Sequence, residues 1–165
     1  MVASVKKISF SLSQIFNLSQ NFSQKKLFSL QRSLVESIGH AEEFSHTLLR
    51  VQRNKQKQQA VKEAAQHARD LKKCLRNALA STKYLRNKGK GENKYQFFDH
   101  LYGSCGLIMS MSEELRVPHA KSVEWKDQVK EIEEKVGSEG IIGCCSEIID
   151  LLEAHNEEEM AKKVL

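Results

Sequence analysis

A chain of 165 residues, 40% hydrophobic and 28% charged, is long enough for one domain with its own core and too apolar to be wholly disordered. No apolar run approaches the roughly 20 residues of a membrane-spanning helix, and one proline with eight glycines is too little punctuation for turn-rich β-sandwiches or barrels. The net charge of +5 hides a split: residues 1–93 carry 18 Lys+Arg against 6 Asp+Glu, and residues 94–165 carry 8 against 15.

Helix formers dominate from about residue 24 onward. The expectation is an all-α fold, an up-and-down antiparallel bundle of four to five main helices over 24–165. An N-terminal amphipathic or targeting-like segment, 1–23, precedes it. That segment is rich in Ser, Gln, Asn and Phe, and no acidic residue occurs before Glu36. Ile8, Phe10 and Leu12 alternate as in a strand, whereas Ile8, Leu12, Ile15 and Phe22 fit one helical face. The helical reading, with the segment packed on the bundle, is preferred. The rival is a targeting or export signal: the Ser-rich, acid-free start resembles organellar presequences and bacterial type III export signals. The lack of Arg in the first 31 residues weakens the presequence reading.

The first main helix is expected over 24–51. Leu27, Leu30, Leu34, Ile38, Ala41, Phe44, Leu48 and Val51 recur at intervals of three and four and form one apolar stripe. Residues 52–59 contain no apolar member and are read as a polar turn. A second helix over 59–86 has Val61, Ala64, Ala68, Leu71, Cys74, Leu75, Ala78, Leu79 and Leu85 on its inner face. Two glycines and two asparagines make 87–93 the clearest loop.

A third helix, 94–116, is lined by Phe98, Leu101, Tyr102, Cys105, Ile108, Met109 and Leu115. Gly103 and Gly106 suggest a tight crossing within it, and Pro118 lies beyond its end. A fourth is expected to start at Ser122 as N-cap and to end at Gly137, with Trp125, Val129, Ile132 and Val136 inward. A fifth, 140–163, carries Ile141, Cys145, Ile148, Ile149 and Leu152. The cysteines, Cys74, Cys105, Cys144 and Cys145, fit no disulfide framework. They read as buried thiols in a reducing compartment, which points to the cytoplasm.

The strongest functional signal is a basic stripe on the second helix. At 100° per residue, Lys62, Arg69, Lys73, Arg76 and Lys83 share one face, flanked by Lys72 and Arg86. Residues 50–90 hold 13 Lys+Arg against only Glu63 and Asp70. Such a surface attracts an acidic protein, a nucleic-acid backbone or an anionic membrane surface, unless the acidic fourth and fifth helices neutralise it internally. Tyr84 is the only aromatic residue beside the stripe that could stack on a base.

Other chemistry is poorly supported. Glu43 and His46 form a Glu-x-x-His pair of the kind used by di-iron bundles, but no second copy exists, so an exposed polar face is the expectation. Asp99–His100 is the only further candidate for ligands. No Cys-x-x-Cys, Gly-x-Ser-x-Gly or Walker loop is present, and no catalytic residue, metal or cofactor is assigned. The reading is a non-enzymatic interaction module (adaptor, chaperone-like protein or assembly subunit) that binds an acidic protein partner, with self-association also open. The alternatives are an RNA- or DNA-backbone-binding protein and a secreted bacterial effector or its chaperone. The second alternative draws on the N-terminal segment; Glu157–Glu158–Glu159 is similar to the acidic block of type IV-secreted effectors but carries no weight in it, a solvated helix end being the plainer reading.

Overall fold

The computed structural model describes the backbone of residues 12–164 and the side chains of residues 22–162. Among these, five helices and no strand occur: α1 (Leu12–Leu49), α2 (Asn54–Lys88), α3 (Lys94–Glu113), α4 (Trp125–Val136) and α5 (Ile141–Val164). The alternating Ile8–Phe10 stretch lies outside the described residues. From Leu12 the helix runs unbroken through the expected boundary at 23/24.

Side-chain pairs fix the topology. Phe22 meets Tyr84 edge to face, with ring centroids 5.3 Å apart, and His40 faces His67 at 6.0 Å, so α1 and α2 run antiparallel. Arg86 reaches Asp99 at the α2–α3 end, and Phe97 stacks on His155 with centroids 4.4 Å apart, so α3 and α5 reverse in turn. The helix contacts α1·α2, α2·α3, α3·α5 and α5·α1 close a ring of four long helices, alternating in direction. The short α4 belongs to the connection between α3 and α5 and packs against α1 and α5.

The core is drawn from the expected stripes, although Leu27, Ile38, Val51, Val61, Leu79, Met109 and Ile149 are only partly buried against it and Tyr102 is half-buried. Leu30, Leu34 and Phe44 of α1, Leu71 and Leu75 of α2, Leu101 and Ile108 of α3, and Ile141 and Leu152 of α5 are fully or almost fully buried. Each such side chain contributes roughly 1.5–3 kcal/mol through removal of apolar surface from water. The buried hydroxyls of Ser37, Thr82 and Ser112 are satisfied within their own helices: Ser37 donates to the Ser33 carbonyl at 2.7 Å, Thr82 to the Leu79 carbonyl at 2.8 Å and Ser112 to the Met109 carbonyl at 2.6 Å.

Four local expectations need correction. The α1–α2 turn is confined to residues 50–53, and the polar run from Asn54 is already helix. Gln56 explains this: its Oε1 accepts from the Gln52 and Arg53 amides at 3.1 and 3.3 Å and seals the new N-terminus. Ser122 does not cap α4. Its Oγ accepts the Glu124 amide at 3.2 Å in a local turn, and α4 begins at Trp125.

Gly103 marks no tight crossing, because a Cβ there would meet nothing within 4 Å, and one on Gly106 would make ordinary contact with Leu79. Of the four free thiols, Cys144 is only half-buried. Burial pushes the thiols of Cys105 and Cys145 up to about 12, so both stay protonated in the core.

Candidate functional site

The outer face of α2 carries the basic stripe. Lys62, Arg69, Lys73, Arg76 and Lys83 are all exposed, and Lys72 is half-buried beside them. From Lys62 to Lys83 the stripe extends about 32 Å at the helical rise of 1.5 Å per residue. It stays on the outside because the opposite side of α2, with Ala64, Ala68, Leu71, Leu75 and Ala78, is drawn into the core. The small alanines there leave room for close packing against its neighbours.

α2 packs between α1 and α3, and no ion pair among the described residues joins it to α4 or α5. The acids of α2 are tied to glutamines: Gln59 Nε2 donates to Glu63 at 3.2 Å and Gln66 Nε2 to Asp70 at 3.0 Å. Arg69 Nη2 donates to Gln66 Oε1 at 2.7 Å. Of the seven expected site residues, only Arg86 has an ion-pair partner among the described residues, with Nη1 3.5 Å from Asp99. Its guanidinium also lies over the Tyr102 ring, so it is committed to the α2–α3 seam rather than to the open face.

At one end of the stripe, Lys62 borders a shallow groove of about 650 Å³ between α2 and the α3–α4 connection. Val61, Val117 and Pro118 form its apolar wall, and His119 and Lys121 add polar groups. Nearby, Lys57 Nζ sits 5.1 Å from the centre of the Trp125 ring, a cation–π contact that ties the start of α2 to α4. The periodicity of α2 revealed the stripe. The groove depends on how the 114–124 connection returns across α2, which no local pattern encodes.

Tyr84 is not a free stacking platform. It is half-buried, meets Phe22 edge to face, and has Lys26 Nζ 5.4 Å from its ring centre.

The expected metal candidates are dispersed. Glu43 points to Arg50 at 3.8 Å, His46 is exposed, and Asp99 pairs with Arg86. The structure instead assembles a set that sequence reasoning missed: His40 of α1 with His67 and Asp70 of α2, whose ligand atoms lie within 4.8 Å of one another. His67 and Asp70 are three residues apart on one edge of α2. His40 mirrors them about the 50–53 turn, so their meeting was legible only once the hairpin register was known.

The arrangement is an all-α, up-and-down bundle with Lys62, Arg69, Lys73, Arg76 and Lys83 exposed on the outer face of α2. No protein-family model matches the chain, and no curated protein or solved structure is significantly similar to it. No helix of the described residues is long and apolar enough to cross a membrane.

Proposed function

We propose that this protein is a non-enzymatic interaction module that holds an acidic protein segment on the exposed face of α2. The observation that carries the reading is the Lys62–Arg69–Lys73–Arg76–Lys83 row: five cations on a rigid helix, without a carboxylate partner among the described residues. Like-charge crowding on a fixed scaffold is relieved by a partner of opposite sign, which gains both on-rate and orientation. An acidic polypeptide is favoured over a nucleic acid because Tyr84, the aromatic of α2 beside the row, is already engaged with Phe22 and Lys26. The four free thiols are consistent with work in a reducing compartment such as the cytoplasm.

The test uses the full chain with four probes: poly-L-glutamate, mixed-sequence RNA, duplex DNA and phosphatidylserine vesicles. Poly-L-glutamate is expected to bind best and to weaken between about 50 and 200 mM salt. The combined variant Arg69→Glu, Lys73→Glu, Arg76→Glu should bind it at least about tenfold more weakly with unchanged helix content. Tighter binding of RNA, DNA or vesicles, or an undiminished affinity in the variant, would refute the reading.

A further inference from the structure

His40 of α1 meets His67 and Asp70 of α2 at the seam between the two helices. We propose that His40, His67 and Asp70 bind one divalent transition-metal ion of the zinc class, which clasps α1 to α2.

Geometry comes first. One ligand atom from each residue lies within 4.8 Å of the others. Around a tetrahedral ion with bonds of about 2.0–2.2 Å, ligand atoms stand about 3.3–3.6 Å apart. The side chains thus need to close by about an ångström or a little more, well within rotamer adjustment. The backbones that carry them are held by the most extensive helix pair in the bundle.

Chemistry narrows the ion. Two imidazoles and one carboxylate form a borderline donor set that suits Zn²⁺, Co²⁺ or Ni²⁺. Ca²⁺ and Mg²⁺ prefer oxygen ligands throughout. All three side chains are half-buried, so one side remains open for water to complete the coordination.

Two further observations point the same way. Among the described residues no hydrogen bond joins the three side chains, although they crowd together, and the shielded Nδ1 of His67 has no partner. A buried polar nitrogen ordinarily has one. The carboxylate, by contrast, is already oriented: Gln66 Nε2 donates to Asp70 Oδ1 at 3.0 Å, and Arg69 Nη2 holds Gln66 Oε1 at 2.7 Å. Outer partners of this kind fix a ligand before the ion arrives.

The nearest thiol has a different role. Cys74, one turn beyond Asp70, donates to Glu36 Oε2 at 3.8 Å, and burial, then the charges of Glu36 and Asp70, push its pKa up.

The full chain, prepared without a polyhistidine tag and stripped with chelator, is titrated with Zn²⁺ by calorimetry and with Co²⁺ by visible absorption. One ion per chain is expected, with a dissociation constant below about 10 μM, and Zn²⁺ should raise the unfolding temperature. His67→Gln and Asp70→Asn should each weaken binding at least about tenfold, and Cys74→Ser should leave it within about twofold. Helix content by circular dichroism confirms that each variant folds. The proposal is overturned by absence of saturable one-to-one binding up to about 100 μM Zn²⁺. It is equally overturned by undiminished affinity in both ligand variants, or by a thiolate-to-cobalt charge-transfer band that Cys74→Ser removes.

Discussion

The guanidinium carbon of Arg86 lies 4.2 Å from the centre of the Tyr102 ring, joining the end of α2 to α3. The same side chain pairs with Asp99 at 3.5 Å and is only 21% exposed. By helical angle Arg86 flanks the basic face; by environment it is a bolt between two helices. A partly desolvated cation over an aromatic ring is worth about 0.5–2 kcal/mol, and the buried aliphatic stem adds packing.

Arg86→Ala is therefore expected to lower stability by about 1–2 kcal/mol in urea unfolding, whereas Lys73→Ala should stay within about 0.5 kcal/mol of the parent. Binding of poly-L-glutamate should respond in the opposite order, weakened by Lys73→Ala and little changed by Arg86→Ala. Equal unfolding midpoints for the two variants would remove the structural role assigned to Arg86.

The α4–α5 connection yields a second prediction. A Cβ on Gly140 would fall on the Lys135 carbonyl, and one on Gly143 would fall on the Ser138 carbonyl oxygen. The amides of both glycines donate to the Gly137 carbonyl, at 2.9 and 3.2 Å, so the chain turns too tightly to accommodate a side chain. Gly140→Ala and Gly143→Ala should each cost about 1–3 kcal/mol through forced backbone displacement. Gly103→Ala, in the middle of α3 with open space around it, should instead gain up to about 1 kcal/mol. Thermal unfolding of the three variants checks the order. A destabilised Gly103→Ala or a neutral Gly143→Ala would contradict it.

These contrasts mark how far the sequence could be read. Leu30, Leu34, Ala41, Phe44 and Leu48 announce their helix because the three-and-four spacing is the physical cause of their burial. The basic stripe was legible on the same ground, since a face opposite buried alanines and leucines must point outward. Ser122 was misread because a serine hydroxyl serves a local turn as readily as a helix N-terminus. Gly103 was misread because a small residue within a helix does not reveal whether anything lies opposite. Meetings between helices, such as Arg86 with Tyr102 or His40 with His67, require the register of the hairpins and could not be obtained from periodicity along one of them.

The stack of His155 on Phe97 makes stability depend on pH in a window that can be stated in advance. The two rings lie 4.4 Å apart and 17° from parallel, and Phe98 meets the imidazole edge to face. Burial is the main cause that holds His155 below its ordinary pKa; Lys94 of α3 and Lys162 of α5 act in the same direction, and Glu159 and Glu158 oppose them. Well above about pH 6.5 the imidazole is neutral in both folded and unfolded chains, and its contribution is complete. As the pH falls, the unfolded chain takes up the proton first, so stability declines until the folded imidazole also titrates. Glu159 acts later: burial pulls its pKa up, but Lys94 and Lys162 hold it below the usual carboxylate value, so its contribution is lost only as the pH falls through the more acidic range. His155→Gln should be less stable than the parent at pH 7, and the gap should narrow between about pH 7 and pH 5. Urea unfolding at intervals across that range, with chelator present, tests this. A gap that stays constant or widens toward pH 5 would mean that the folded imidazole is not held neutral.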